Sequence, residues 1–418
     1  MGVDRHPDVH RRAGRHGLCA GDRGGGLCPV DRRGLRPGVR RPDLVGPDLL
    51  PCPLRRAAGP SAGPVRRETG ACVMASLDNA DDILAARKAY NDTLVQAADR
   101  TRVTWLPPLI LAVLLVFPVL QFVGNYNYAI HLALYTLMYV TMASGWNILG
   151  GFTGYISLGH SVFFAVGGYF AGMVLARYGI STLIMAPVAG LLAAALGYMI
   201  GLITLRVRGP SFIISSIALV MICRILFEKW QFVGGAAGLS LPTNGLPVEW
   251  AKLPYYYAFL AMAAFGVWAS YRIKHSKFGL GLRAISKDEI KAESAGIDTR
   301  FYKVLAFGIS AFFFGIAGAV WGEYLTYVRP NIFVHILYFS VWPALMCILG
   351  GKSTIAGPVI GAILIVAFNE FFVATLGASA INILATGLIM ALTLMFFPLG
   401  LVGTLAKHNR LPRFLNWD

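Results

Sequence analysis

Ten apolar runs divide residues 105–399, and they constrain what this chain can fold into more than any other feature. A helix needs about 20 apolar residues to cross a bilayer, or about 17 at the short end. In lipid, every backbone polar group must be bonded within the protein, which favours helices. The pattern predicts an all-α, polytopic transmembrane helix bundle of about ten spans. The predicted spans are Trp105–Val123, Tyr128–Leu149, Leu158–Ala176, Thr182–Leu205, Ser211–Phe227, Tyr255–Tyr271, Val304–Tyr324, Ile336–Leu349, Pro358–Phe372 and Ala380–Leu399.

Composition agrees with a membrane protein. Only 14% of the residues are charged and the mean hydropathy is +0.60, whereas soluble domains carry about 25% charged residues. Two of the runs, Ile336–Leu349 and Pro358–Phe372, are short for a full span. We expect them to be broken or re-entrant segments, which membranes tolerate only where protein or water covers the backbone.

The distribution of cations predicts the orientation. Ten spans place both termini on one side, and loops on the cytoplasmic side of a membrane are rich in Lys and Arg. The loops assigned outside hold only Arg177, Lys229, Lys252 and Arg329. The loops assigned inside hold Arg100, Arg102, Arg206, Arg208, Arg272, Lys274, Lys277, Arg283, Lys287, Lys291, Arg300, Lys303, Lys352, Lys407, Arg410 and Arg413. Both termini are therefore predicted to be cytoplasmic. The net charge of +16 then indicates anionic lipid at that face rather than nucleic acid.

Residues 1–73 differ in composition from everything that follows. They contain no Phe, Tyr, Trp, Ile, Asn, Gln or Lys, and they hold 14 arginines against seven acidic residues. Five of the absent types have AT-rich codons, so a GC-rich non-coding frame would give this composition. We expect translation to begin at Met74. A disordered basic tail and a targeting peptide are the alternatives, although the segment lacks the apolar core of a secretory signal.

The remaining chain divides by polarity. Residues 74–103 predict a cytoplasmic N-terminal helix, residues 104–400 form the transmembrane domain, and residues 401–418 form a basic cytoplasmic tail. Within the transmembrane domain the one long cytoplasmic loop covers residues 272–303. The longest external connection, residues 231–254, is rich in Gly and Pro and predicts a loop without a domain of its own.

A glycine-rich segment, residues 150–161, interrupts the apolar pattern near a membrane face. Glycine lets the backbone turn and approach other elements closely, and polar side chains at membrane depth must find partners. One interpretation is a broken helix that lines a translocation pathway. The other is a tight connection between two packed helices. The candidate pathway residues are Gly154, Ser157, Gly159, His160, Ser161 and Phe164.

The cytoplasmic loop contains a second candidate site. Residues 287–297 begin with charged residues and end with small residues and a glycine, which predicts a short amphipathic helix and a turn at Gly296. Ala292, Ala295 and Gly296 are predicted to share one helix face, which could dock into a groove on another protein. A solvated loop helix is the alternative.

Several other chemistries find no support in the sequence. The six cysteines form no metal-binding or redox spacing, so we expect neither a metal nor a cofactor. Gly351-Lys352-Ser353 resembles the end of a phosphate-binding loop, but Met346 stands where that motif needs glycine.

Two spacings predict structural contacts rather than chemistry. Arg224 and Glu228 are spaced to pair on one helix. Small residues four apart predict helix packing, at Gly168/Gly172, Gly197/Gly201, Gly318/Gly322 and Gly357/Gly361.

Three motifs together resemble those of the branched-chain amino acid ABC permeases, and most closely the M-type of the two paired subunits. The segment Gly154–Phe164 is similar to their glycine-rich signature. Leu282–Ile285 through Gly296-Ile297 resembles their cytoplasmic coupling loop, and Leu349–Gly351 through Gly357–Ala362 resembles their late signature. The resemblance covers residues 105–400 in order.

This resemblance implies a non-catalytic permease subunit in a bacterial inner membrane. A second, different permease would complete the pathway, two cytoplasmic ATP-binding subunits would supply energy, and an external binding protein would deliver solute. Urea and amide carriers belong to the same family, so the solute stays open. The implied ATPase-coupling residues are Asp288, Glu289, Ala292, Glu293, Ala295 and Gly296. A secondary transporter or channel is the main rival, and a membrane-embedded enzyme is the third class.

Overall fold

The computed structural model describes residues 112–118, residues 127–377 apart from 208, 244, 246, 248 and 249, residues 400–407, and isolated positions between 378 and 399. The expectations for residues 1–73 and 74–103 lie outside this part of the chain, as do residues 408–418 of the predicted tail. Most of the predicted spans Trp105–Val123 and Ala380–Leu399 also lie outside it.

The described chain is built almost entirely from helices. Two of them carry a π-helical turn at one end: Asn147–Gly151 follows the helix Asn127–Trp146, and Leu337–Val341 precedes the helix Trp342–Gly351. The helices are α1 (Asn127–Trp146), α2 (Ser161–Tyr178), α3 (Thr182–Thr204), α4 (Pro210–Lys229), α5 (Leu253–Lys274), α6 (Lys277–Lys287), α7 (Glu289–Ser294), α8 (Thr299–Leu325), α9 (Pro330–Phe333), α10 (Trp342–Gly351), α11 (Ala356–Leu376) and α12 (Gly400–Lys407).

Seven helical segments in the described chain are long and apolar enough to cross a membrane. They coincide with seven of the predicted spans. A further predicted span, Tyr255–Tyr271, forms the 22-residue helix α5, which at about 1.5 Å per residue is about 33 Å long. A total of about ten spans and the cytoplasmic termini stay predictions. The seven segments are Asn127–Gly151, Ser161–Tyr178, Thr182–Thr204, Pro210–Lys229, Thr299–Leu325, Pro330–Gly351 and Ala356–Thr375.

The two short apolar runs take different forms. Pro358–Phe372 lies inside the continuous 21-residue helix α11, so the expectation of a broken segment is wrong there. Residues on both sides of the run, Ala356, Gly357 and Val373–Leu376, continue the helix. Ile336–Leu349 extends into a longer segment that is interrupted at Val334 and His335, between α9 and the π turn. Inside the run the helix continues from Ile336 through the π turn into Trp342–Gly351, so the expectation of a broken segment is wrong there as well.

Helix α8 occupies the centre of the bundle. Its apolar stretch is 83% buried, whereas those of α3 and α4 are 28% and 22% buried. Helices α1, α2 and α3 all pack against α8. A Cβ atom on Gly318 would lie 1.9 Å from the Phe164 carbonyl oxygen, and one on Gly167 would lie 2.0 Å from the Gly315 oxygen. The α2 and α8 backbones therefore touch, which confirms the packing role predicted for the small residues.

A hydrogen-bonded carboxylate and a short pair of β-strands lie at the end of the bundle where α8 ends. The Glu323 carboxylate accepts hydrogen bonds from the Thr182 backbone N–H (2.9 Å), the Ser181 hydroxyl (3.2 Å) and the Thr182 hydroxyl. A carboxylate is stabilised there because the first-turn N–H groups of α3 carry partial positive charge. Next to it, β1 (Leu239–Ser240) pairs antiparallel with β2 (Tyr327–Val328). This pair anchors the long connection between α4 and α5.

Candidate functional site

The glycine-rich segment separates α1 from α2. The α1 helix ends in the π turn Asn147–Gly151, residues 154–159 are not helical, and α2 begins at Ser161. The interruption predicted from the glycines is therefore present. Trp146 Nε1 donates to the Ser157 carbonyl at 3.0 Å, and the Leu158 N–H donates to Ser216 Oγ of α4 at 3.1 Å. These bonds hold the irregular backbone against two helices.

The polar side chains of this segment point into the subunit. His160 Nε2 lies 2.8 Å from Ser310 Oγ of α8, and the His160 ring is surrounded by Phe163, Phe307 and Phe314. The Ser161 N–H donates to Ser340 Oγ at 2.8 Å. The segment is thus bonded to α4, α8 and the π turn before α10.

Five of the six candidate pathway residues are buried. Ser157, Gly159, His160, Ser161 and Phe164 lie in the interior, and Gly154 is the exposed one. In this conformation they make contacts within the subunit, as the alternative of a tight helix connection predicts. A role in a translocation pathway stays a prediction for all six.

Leu349–Gly351 through Gly357–Ala362, which we call the late glycine motif, contacts the end of α1 through Asn147. Its Oδ1 accepts from the Ser353 N–H (3.1 Å) and from Cys347 Sγ (3.2 Å), while its Nδ2 donates to the Thr354 carbonyl (2.8 Å). Asn147 is fully buried. Beside it, a Cβ on Gly350 would lie 1.7 Å from the Gly357 oxygen, so α10 and α11 make close backbone contact. The two glycine motifs are therefore neighbours, although 200 residues separate Asn147 from Cys347.

The loop 272–303 contains two helices rather than the single one predicted. Helix α6 buries Gly279, Gly281, Leu282 and Ile285 against the bundle. Helix α7 follows at once, because Asp288 has an extended backbone and its Oδ1 accepts the Ile290 and Lys291 N–H groups at 3.1 and 3.2 Å. This arrangement is an N-cap.

Residues at both ends of α7 limit the length of this helix. The backbone N–H of Lys291, and then its side chain, hold the pKa of Asp288 below its ordinary value. The cap is therefore ionised at neutral pH, and its contribution is lost only as the pH falls through that lowered pKa. At the other end Gly296 has φ of +85°, a conformation that favours glycine. The predicted turn at Gly296 is confirmed.

Helix α7 has an inward and an outward side. Ala292 is 4% exposed, whereas Ala295 and Gly296 are exposed. The prediction that these three residues share one face is wrong, because Ala292 turns toward the bundle. Glu289, one turn earlier, also points inward and is mostly buried. The outward side presents Ile290, Lys291, Glu293, Ser294 and Ala295.

A buried cluster holds the inward side of α7. Lys303 Nζ, in the second turn of α8, lies 2.7 Å from Glu289 Oε1, and the two side chains are 3% and 13% exposed. The Tyr155 hydroxyl donates to Glu289 Oε2. Lys303 Nζ also lies 3.3 Å from the Tyr155 hydroxyl oxygen and 4.7 Å from the centre of its ring. We refer to Tyr155, Glu289 and Lys303 as the clamp. It joins α7, α8 and the glycine-rich segment.

Sequence reasoning did not identify the clamp. The charge pattern places Lys303 among the cations of the cytoplasmic loop, and the family resemblance places Glu289 among the ATPase-coupling residues. The available signal was the position of Lys303 at the start of the apolar run that forms α8, since a buried cation requires a partner. Across the described residues, no group of three or more His, Cys, Asp and Glu side chains could hold a metal ion.

Comparison with known proteins identifies the family. A family model described as the branched-chain amino acid transport system permease component matches residues 128–399. The chain belongs to this family. The matched region contains the glycine-rich segment, the clamp and the late glycine motif. No solved structure matches the chain.

Individual relatives carry similar names. The high-affinity branched-chain amino acid transport system permease protein LivM of Escherichia coli K12 is 27% identical over 307 residues, which cover 65% of this chain and 69% of that protein. The high-affinity permease protein BraD of Pseudomonas aeruginosa is 24% identical over 290 residues, covering 63% and 91%. A probable branched-chain amino acid permease of Methanocaldococcus jannaschii is 26% identical over 222 residues, covering 48% and 63%.

As a member of the branched-chain amino acid permease family, the chain is a multi-pass membrane transport component and not an enzyme. The resemblance drawn from the three sequence motifs is confirmed.

Proposed function

We propose that this chain is one of two paired permease subunits of an ABC importer for branched-chain amino acids in a bacterial inner membrane. Two cytoplasmic ATPase subunits drive the transport cycle, and an external binding protein supplies the solute. The names of the relatives support the substrate class. The family assignment supports the role of a permease that works with other subunits.

The observation that carries this proposal is the placement of α7. This six-residue helix lies between α6 and α8. Its outward side is exposed, with the Ile290 residue 67% and the Lys291 side chain 86% exposed. Its inward side is fixed by Ala292 and by the ion pair of Glu289. A partner that docks on the outward side can therefore move α7 as a rigid element. The inward contacts of α7 then pass this movement to the bundle.

The arrangement refines the assignment of docking residues. Asp288, Glu293, Ala295 and Gly296 are accessible or lie at the ends of α7, so we propose that they form the surface for the ATPase. Ala292 faces the bundle and packs the inward side of α7 against it. Glu289 belongs to the clamp.

Substitutions at the end of α7 test the docking role and separate bulk from backbone strain. Ala295→Arg adds a long side chain at an exposed position with ordinary φ. Gly296→Ala adds backbone strain without bulk, because nothing lies within 4 Å of a Cβ there. Gly296→Arg adds both.

We expect Ala295→Arg and Gly296→Arg to reduce ATPase co-purification and uptake of radiolabelled leucine together. Gly296→Ala should weaken both much less. Wild-type co-purification and uptake in both arginine variants would contradict the docking assignment. ATP-independent uptake in all three would favour a secondary transporter instead.

A further inference from the structure

The clamp connects the part of the chain proposed to receive force with the segment proposed to line the pathway. Glu289 lies in the first turn of α7, Lys303 in the second turn of α8, and Tyr155 in the glycine-rich segment. Their sequence separations are 14 residues for Glu289 to Lys303 and 148 residues for Tyr155 to Lys303. The contact is therefore a product of the tertiary fold.

We propose that Tyr155, Glu289 and Lys303 are positioning residues that transmit movement of α7 to the glycine-rich segment. The inference rests on the proposed function for the source of that movement, while the mechanical link itself is a property of this chain. The two acidic residues of α7 then have different roles. Glu289 acts inside the subunit, whereas Glu293 faces outward.

Burial makes the clamp a stiff connection. The Lys303 side chain is 3% exposed, so water cannot replace Glu289 as its partner without a rearrangement. Removing one member of a buried ion pair leaves an uncompensated charge, which is strongly unfavourable. The ion pair therefore resists separation, and a displacement of Glu289 moves Lys303 and Tyr155 with it.

Tyr155 extends the connection to a fourth element. Its ring packs edge-on against Phe212 of α4 at 5.7 Å between centroids. Two residues later the Ser157 side chain is fully buried. A shift of Tyr155 therefore has two consequences: it disturbs the α4 contact, and it loosens the backbone that keeps Ser157 inside.

A thiol at position 157 reports this coupling without any partner protein. Ser157→Cys is nearly isosteric, and it is introduced into the full chain with the six native cysteines replaced by alanine. The probe is a maleimide, and the measurement is the labelling rate in detergent. The thiol should react slowly while the clamp is intact.

Three single substitutions and one charge exchange in the clamp are compared with one control. Glu289→Gln and Lys303→Met each remove one charge, and Tyr155→Phe removes one oxygen but keeps the ring against Phe212. Glu289→Lys combined with Lys303→Glu restores an ion pair of opposite sense. The control is Glu228→Gln, which breaks the partly exposed pair with Arg224 in α4 (2.9 Å).

We expect each charge-removing variant to raise the labelling rate about tenfold, equivalent to about 1.4 kcal/mol. Tyr155→Phe should raise it less, the exchanged pair should restore slow labelling at least in part, and Glu228→Gln should leave it unchanged. Slow labelling in Lys303→Met and Tyr155→Phe would overturn the proposal. Fast labelling in the control as well would also overturn it, because the effect would then be general loosening.

A second measurement distinguishes this proposal from the proposed function. In the assembled transporter, Glu289→Gln should reduce leucine uptake about tenfold while ATPase subunits still co-purify. Loss of co-purification with unchanged labelling would make Glu289 an ATPase contact and overturn the clamp. If no ATPase associates with the wild-type chain but labelling still depends on the clamp, the internal link stands and the proposed function fails.

Discussion

At the scale of single residues, the amide of Asn147 holds the two glycine motifs together. Its three hydrogen bonds reach the side chain of Cys347 and the backbone of Ser353 and Thr354. A buried amide satisfies both donors and acceptors in one place, which no aliphatic side chain does. The junction between α1, α10 and α11 therefore depends on a residue with no charge and no sequence motif of its own.

We predict that Asn147→Ala lowers the free energy of unfolding by about 1–3 kcal/mol, because backbone groups at the junction lose their partner. Thermal unfolding of the purified protein in detergent measures the change. The control is Thr375→Val, since the exposed Thr375 hydroxyl bonds only within its own helix. It should alter stability by less than about 0.5 kcal/mol. Equal effects of the two substitutions would contradict the role of Asn147.

Local pairs were predictable at this scale, and distant ones were not. The four-residue spacing of Arg224 and Glu228 predicts their ion pair, and the structure confirms it at 2.9 Å. The clamp joins residues from three separate elements, so no spacing along the chain reveals it. The burial of the side chains in the glycine-rich segment could not be predicted either, because hydropathy identifies a membrane segment but not which neighbour covers each polar group.

At the scale of elements, helix contacts through glycine define the core. We predict that Gly318→Ala lowers the free energy of unfolding by about 1–3 kcal/mol, since a Cβ there would collide with the backbone of α2. This cost outweighs the gain of about 1 kcal/mol that alanine has over glycine in a helix. The measurement is again thermal unfolding in detergent.

A second glycine provides the control for this prediction. In α2, a Cβ on Gly172 would meet Leu241 and Val328 at 3.4–3.5 Å, which is ordinary contact. Gly172→Ala should therefore be neutral or slightly stabilising. A similar loss of stability in both variants would mean that close approach at Gly318 is not the cause.

Hydropathy predicted the elements well where the helices are apolar throughout. It failed where a helix extends past the predicted run, as at both ends of α11, and where a polar loop contains helices, as at α6 and α7. The two loop helices form because Ser276 and Asp288 cap them and because α6 buries one face on the bundle. These causes are local capping and tertiary packing, which an apolar run does not show.

At the scale of the whole molecule, the distribution of cations predicts the orientation in the membrane. Lys291 of α7 should face the cytoplasm and Lys229 at the end of α4 should face outward. Cysteine at either position, in a background without native cysteines, can be labelled with a membrane-impermeant maleimide on intact cells. We expect labelling of Lys229→Cys alone. Labelling of Lys291→Cys from outside would reverse the orientation.

The central claim is that separate ATPase subunits drive transport through this chain. Its most direct measurement is radiolabelled leucine uptake by proteoliposomes that contain the chain together with the paired permease and the co-purified ATPases. The external binding protein is added outside the vesicles, and ATP is either enclosed in them or omitted. The account predicts accumulation of leucine only when ATP and the ATPase subunits are both present. Accumulation by the chain without them, driven by an ion gradient alone, would contradict it.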